Sequence, residues 1–130
     1  MTQEDKSLLL KDLCARLPYR VKMIDTEPYS AEHNPILTLS YISEDNCIGC
    51  RAGKGFMATS LGSIKPYLFP LSSMTEEQSK VYHELINGMF GTSALINFEV
   101  LTDFFNANHF DYRGLIKMGL AIDATGLNIY

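Results

Sequence analysis

A chain of 130 residues with 46% hydrophobic and 20% charged side chains fits one domain able to bury roughly two thirds of its unfolded surface, and this composition excludes a disordered polymer. No apolar run reaches the roughly 18 residues of a membrane span, and Glu4 and Asp5 occupy the place where a secretory leader is basic. The formal charge of −4 opposes a uniformly basic domain, and three cysteines argue against a disulfide framework; the expectation is a protein of a reducing, cytoplasmic compartment.

In chain order, Thr2 and Asp5 supply a cap for a first helix in which Leu9, Leu13 and Leu17, with Leu10 and Cys14, recur at helical spacing. Pro18 ends it. Tyr19, Val21 and Met23 then alternate with Arg20 and Lys22, the period of a half-buried strand ending near Asp25. Residues 25 to 35, with two prolines and mostly polar side chains, predict a long exposed loop. Leu37, Leu39 and Tyr41 alternate with Thr38 and Ser40 in a second strand, Ser43 to Asn46 turn the chain, and Cys47 to Arg51 return it as a hairpin. Gly53 and Gly55 bracket Lys54 in another turn, ahead of a strand over Phe56 to Thr59.

Ile64 to Gln78 is a proline-rich joint. Pro66 and Pro70 bar a continuous helix; Ser73 with Glu76, and Thr75 with Gln78, both match a capping box, placing a helix start at about Ser73. From Met74, a helical face runs through Val81, Tyr82, Leu85, Ile86 and Met89 and stops at Asn87, Gly88 and Gly91. Ser93 or Asn97 caps a further helix carrying Phe98, Leu101 and Phe105 on one face. Asp111 stands as an N-cap before YRGLIKMG, Gly119 and Leu120 suit a Schellman end, and Ala121 to Ala124 return to the sheet. The fold expected is a single α+β domain over 1–130: an N-terminal helix with a small curved antiparallel sheet or partial barrel over 1–72, and a C-terminal helical layer over 73–130.

Two strings, KPYLFPLSSMTEEQ and NHFDYRGLIKMGLAI, resemble a family of small uncharacterised proteins of bacteriophages and prophages from gut Bacteroides-type bacteria. The likeness rests on Lys65 to Tyr67, Leu68, Pro70 to Thr75, and Asn108 to Leu115 with Gly119 and Leu120. It implies a phage accessory protein acting in the cytoplasm of a bacterial host cell, and implies no chemistry.

Few constellations carry chemistry. Cys47 and Cys50 form a CxxC, half of a zinc knuckle or a redox dithiol, with no second closely spaced ligand pair among Cys14, His33, His83 and His109. GCRAGKG departs from a phosphate loop in spacing and lacks the following Ser or Thr. His109, Asp111 and Arg113 suggest acid–base work, but no nucleophile is tied to them. No cofactor is implied, and catalytic residues are not assigned.

Charge is more informative. Residues 1 to 65 hold eight bases and eight acids, whereas 66 to 130 hold three bases and seven acids. Windows 13 to 24 and 46 to 75 contain no acid, and supply Arg16, Arg20, Lys22, Arg51, Lys54 and Lys65 as phosphate contacts, with Tyr19, Phe56 and Tyr67 as surfaces on which bases stack. The favoured function is a non-enzymatic accessory protein that binds a host or phage protein through its acidic helical half or the loop 25 to 35. Nucleic-acid binding by the six bases is the alternative.

Overall fold

In a computed structural model, residues 1–27, 36–88 and 94–130 are described. Helix α1 (Gln3–Arg16) opens with a complete capping box: the Asp5 amide donates to the Thr2 hydroxyl and the Thr2 amide to the Asp5 carboxylate, both at 3.0 Å. Its buried stripe is Leu9, Asp12, Leu13 and Arg16, spaced i, i+3, i+4 and i+7, so an acidic and a basic side chain share the core-facing side with two leucines. Cys14, expected on that face, is exposed. A short 3-10 turn, Leu17–Tyr19, follows the helix, and Arg20 then takes a left-handed conformation at φ 54°. The first strand is therefore shorter than the alternation from Tyr19 suggests.

Six strands form one open, mixed sheet: β1 (Lys22–Asp25), β2 (Leu37–Ile42), β3 (Cys47–Ala52), β4 (Gly55–Ser60), β5 (Ile64–Leu68) and β6 (Ile122–Asp123), in the order β4-β3-β2-β1-β5-β6. All neighbours are antiparallel except β5 and β6, which run parallel. The α+β class and the return of the chain to the sheet after Ala121 are as expected. The sheet is open, with β4 and β6 at the two ends of the strand order, and mixed where a wholly antiparallel one was expected, because the chain returns after Ala121 alongside β5 in the same direction.

The joint at Ile64 holds a strand that its prolines concealed. Pro66 sits opposite Met23 of β1, although proline lacks the amide a central strand donates. The Tyr130 hydroxyl takes part in this gap's surroundings: it accepts from the Lys22 amide at 2.9 Å and donates to the Tyr67 carbonyl at 2.7 Å, joining β1 to β5. Helix α2 (Glu76–Gly88) begins three residues later than Ser73 suggests, because the box that closes is Thr75 with Gln78, at 2.9 and 3.1 Å. Ser73 instead ends a 3-10 turn, its hydroxyl donating to the Pro70 carbonyl. Helix α3 (Ala94–Ala107) packs on α2 and touches α1. Asn97 lies inside α3 and does not cap it; Met89, Gly91 and Ser93, and most of the loop expected over 25 to 35, lie outside the described residues.

The core lies on one face of the sheet. Leu9 and Leu13 of α1 meet Met23, Leu37, Leu39, Ile48, Cys50, Ile64 and Leu68, with Leu115, Leu120 and Ala121 completing the cluster. In place of a helix after Asp111 there is a single capped turn. The Asp111 carboxylate accepts from the Leu115 and Ile116 amides at 2.8 and 2.9 Å. Gly119 at φ 76° and the bonds from Leu120 to Leu115 and from Gly119 to Ile116 close it as a Schellman motif.

Fully buried Asp12 binds this turn's approach to α1. It accepts from Arg16 Nε at 2.7 Å and from Arg113 Nε at 3.2 Å, while Arg16 Nη2 donates to the Phe110 carbonyl at 2.6 Å. Both guanidinium groups lie by the Tyr112 ring, at 5.4 and 4.9 Å from its centre. Removing one member of such a buried pair strands the other charge away from water, at a cost of about 3 to 5 kcal/mol. Asp12→Ala is therefore expected to lower unfolding free energy by that amount in urea titration; a loss under about 1 kcal/mol would show that Arg16 is readily re-solvated.

Candidate functional site

The six predicted bases divide sharply. Arg16 is 0% exposed and committed to Asp12, so it is not a surface contact. Lys54 caps the β3–β4 hairpin in a two-residue loop where Gly53 supplies φ 60°. Lys65 is opposite Ile24 on β5, on the non-core face but outside any groove with the others. The remaining three converge: Arg20, Lys22 and Arg51 line one groove of about 410 Å³ with Leu17, Pro18, Thr38, Leu39 and Ser40.

The registry explains the convergence. Met23, Leu37 and Cys50 point into the core, so Lys22, Thr38 and Arg51, each one residue along, point to the opposite face. Lys22 is paired with Thr38 and Thr38 with Arg51, so the three stand in a row across β1, β2 and β3. Arg20 joins them from the end of the 3-10 turn, where its left-handed backbone costs about 1 kcal/mol relative to a relaxed geometry. No carboxylate lines the groove, and none of the three cations is in an ion pair among the described residues. The Asp103 carboxylate lies nearby in the fold, beside Tyr19, whose phenol is pushed up by burial and by that charge.

The row continues to β4, where Arg51 is paired with Phe56 and its guanidinium lies 5.1 Å from the ring centre. Phe56 is 65% exposed, as a stacking surface requires. Tyr67 is not such a surface: it is buried under the β5–β6 edge. Tyr19 is half-buried. Sequence patterning missed Tyr41, which the alternation from Leu37 assigns to the core. A bulge between Leu39 and Tyr41 inserts one residue, so Leu39 opposes Cys50 but Tyr41 opposes Gly49. Tyr41 is thereby turned to the outer face, 49% exposed. Its ring lies on Gly49, where an added Cβ would stand 2.1 Å from a ring carbon. The glycine opposite an aromatic was the available signal.

A second groove of about 320 Å³, between the start of α1 and the β2–β3 turn, carries Lys6 and Asp45 and has no single charge preference.

The catalytic and metal alternatives meet specific obstacles. Both Asp111 oxygens accept backbone amides of the capped turn. His109 stacks on Tyr130 with ring centres 3.7 Å apart, and its Nδ1 is buried without a partner among the described residues, as are Arg16 Nη1 and Asn106 Oδ1. Burial, with the positive charges of Arg16 and Lys22, lowers its imidazole to about 4. It is neutral near pH 7 and has no carboxylate to orient it among its described hydrogen bonds. Cys47 and Cys50 are three apart on one strand, so their side chains leave opposite faces of the sheet. Cys50 is buried and its thiol is raised to about 11, by burial first and then by Asp25 and Cys47. Among the described residues no three His, Cys, Asp or Glu side chains group to hold a metal ion.

Searches of family models, curated proteins and solved structures find no match to this chain. Among the described residues no helix is long and apolar enough to cross a membrane.

His109 makes stability depend on pH. An unfolded imidazole takes up its proton near 6.5 whereas the folded one resists until about 4, so its contribution is complete above pH 6.5 and is lost as pH falls toward 4. The loss is about 2 to 3 kcal/mol. Asn tolerates the φ of 60° at this position, and His109→Asn should flatten that part of the stability profile relative to the parent; an unchanged slope would contradict the neutral imidazole. With a thiol reagent at pH 8, exposed Cys14 should react in the folded protein, and Cys50 only after unfolding. Rapid reaction at Cys50 would contradict its burial.

Proposed function

We propose that the protein binds nucleic acid through the outer face of its sheet, as a binding protein rather than an enzyme. The observation that carries this is the groove formed by Arg20, Lys22 and Arg51, free of carboxylates among the described residues and flanked by the Thr38 and Ser40 hydroxyls. Two cations, Lys22 and Arg51, held in one row of the sheet, with Arg20 beside them at the end of the 3-10 turn, attract a chain of phosphates by charge and by counterion release. The hydroxyls suit the same ligand, since they donate to phosphate oxygens. The overall charge of −4 does not oppose local attraction, because all of the excess acid falls in residues 66 to 130, as in Glu76 and Glu77 at the start of α2.

The strained backbone at Arg20 supports the same conclusion. A glycine would adopt φ 54° without penalty, yet the position carries a cation at the groove. The likeness of two strings to phage and prophage proteins supports an accessory role inside a bacterial host cell. A protein partner is the competing occupant within that setting, and acidic α2 is the surface it would use.

The test is fluorescence anisotropy with labelled oligonucleotides at low ionic strength. Binding should weaken steeply with salt, with a slope of log affinity against log salt of about −2 if three phosphates are neutralised on a single strand. Arg51→Glu should abolish most of the binding and Lys54→Glu should reduce it only slightly. Arg20→Gly should weaken binding while stability stays level or rises by up to about 1 kcal/mol. No binding at low salt, or equal effects of Arg51→Glu and Lys54→Glu, would overturn the proposal.

A further inference from the structure

We infer that the nucleic acid bound is single-stranded, with unpaired bases stacked on Tyr41 and Phe56 while its phosphates occupy the basic groove. This rests on the nucleic-acid reading and narrows its ligand.

Two large aromatic rings stand exposed on the same sheet face as Arg51 and Lys22. Phe56 is directly across from Arg51 on β4, and Tyr41 is across from Gly49 on the other side of β3. Neither ring contributes to the core cluster. The bulge in β2 is what exposes Tyr41; without it the alternation would send the ring inward. Gly49 is what lets the ring lie flat, because any Cβ there would collide with it. Bulge and glycine together present an aromatic face to the outside of an otherwise half-polar strand.

Their separation distinguishes between ligands. Tyr41 and Phe56 are two strands and two residues apart, so about 12 Å separates their Cα positions by ordinary sheet spacing. Bases in a duplex are stacked at roughly 3.4 Å and enclosed between their neighbours, offering no free face to either ring. An unstacked strand offers a face at every nucleotide, and each aromatic–base stack is worth roughly five- to a hundredfold in affinity. Arg51, already against Phe56 at 5.1 Å, would meet the phosphate next to the base stacked there. A peptide meets both the cations and the rings only where acidic and aromatic side chains fall at matching positions; a bare polyanion would use the cations and not the rings. An unpaired nucleic-acid strand supplies both a phosphate and a flat ring at every nucleotide.

The experiment compares labelled oligodeoxythymidine, oligouridine and a blunt DNA duplex of equal length, binding the parent, Tyr41→Ala, Phe56→Ala and Gly49→Ala proteins. Single strands should bind at least about tenfold more tightly than duplex. Tyr41→Ala and Phe56→Ala should each weaken single-strand binding by roughly fivefold or more, with duplex binding and the salt slope unchanged. Gly49→Ala, which displaces the Tyr41 ring without removing it, should reproduce the Tyr41→Ala loss. Both aromatic rings are exposed, so melting midpoints of their Ala variants should match the parent and exclude misfolding; Gly49→Ala is used only if its circular dichroism is native. Equal binding of duplex and single strand, or unaltered binding by both aromatic variants, overturns the inference and leaves a phosphate-only site. Absence of binding to all three probes removes the nucleic-acid reading itself.

Discussion

Asp12 is an acidic side chain with no solvent-exposed surface, and much of the fold is arranged to answer it. Arg16 reaches it from one turn further along α1, and Arg113 from a segment a hundred residues away in the chain. Arg16 continues to the Phe110 carbonyl, and Phe110 in turn pairs with Phe69 beside the end of β5. One ionic centre thus connects the first helix, the sheet and the capped turn held by Asp111. A hydrophobic core alone would bring these elements together; the directional bonds of a buried pair make one arrangement better than its near alternatives.

That centre also decides what remains outside. By taking Arg16 inward, it separates a structural cation from those available to a ligand, which leaves Arg20, Lys22 and Arg51. These are exposed for a different reason. The sheet has helix α1 on its Met23–Leu39–Cys50 side, so the alternate residues of β1 and β3 go to the opposite side, and Lys22 and Arg51 are among them. The β2 bulge adds Tyr41 to that face and the β4 register adds Phe56. A sheet with one packed face and one basic, aromatic face is the physical basis of the function proposed.

Much of this was legible in the sequence, and what was hidden was hidden for identifiable reasons. The capping boxes at Thr2 and Thr75 and the Schellman turn at Gly119 are local, and local patterns announced them. The β2–β3 and β3–β4 hairpins followed from alternation and turn residues. β5 was concealed because Pro66 contradicts the usual composition of an inner strand, and only pairing with Met23 and the nearby Tyr130 bridge reveal it. Asp12 and Arg16 were spaced for the core face, i+3 and i+7 from Leu9, yet charge argued for solvent; burial becomes legible only with Arg113 in place. Tyr41 was misassigned because a bulge changes the parity of a strand without changing its composition. Of the groove, the three residue types were in view but their convergence depends on inter-strand register, which no single segment encodes.

The central claim is that ligand occupies the outer face of β1 to β4. Amide chemical-shift mapping of isotope-labelled protein, titrated with an unlabelled single-stranded oligonucleotide, tests this most directly. The largest changes should fall on Arg20, Lys22, Thr38 to Tyr41, Gly49 to Arg51 and Phe56, with Asp12 and the turn at Asp111 little affected. Changes concentrated on α2 and α3, with the β1–β4 amides still, would contradict it.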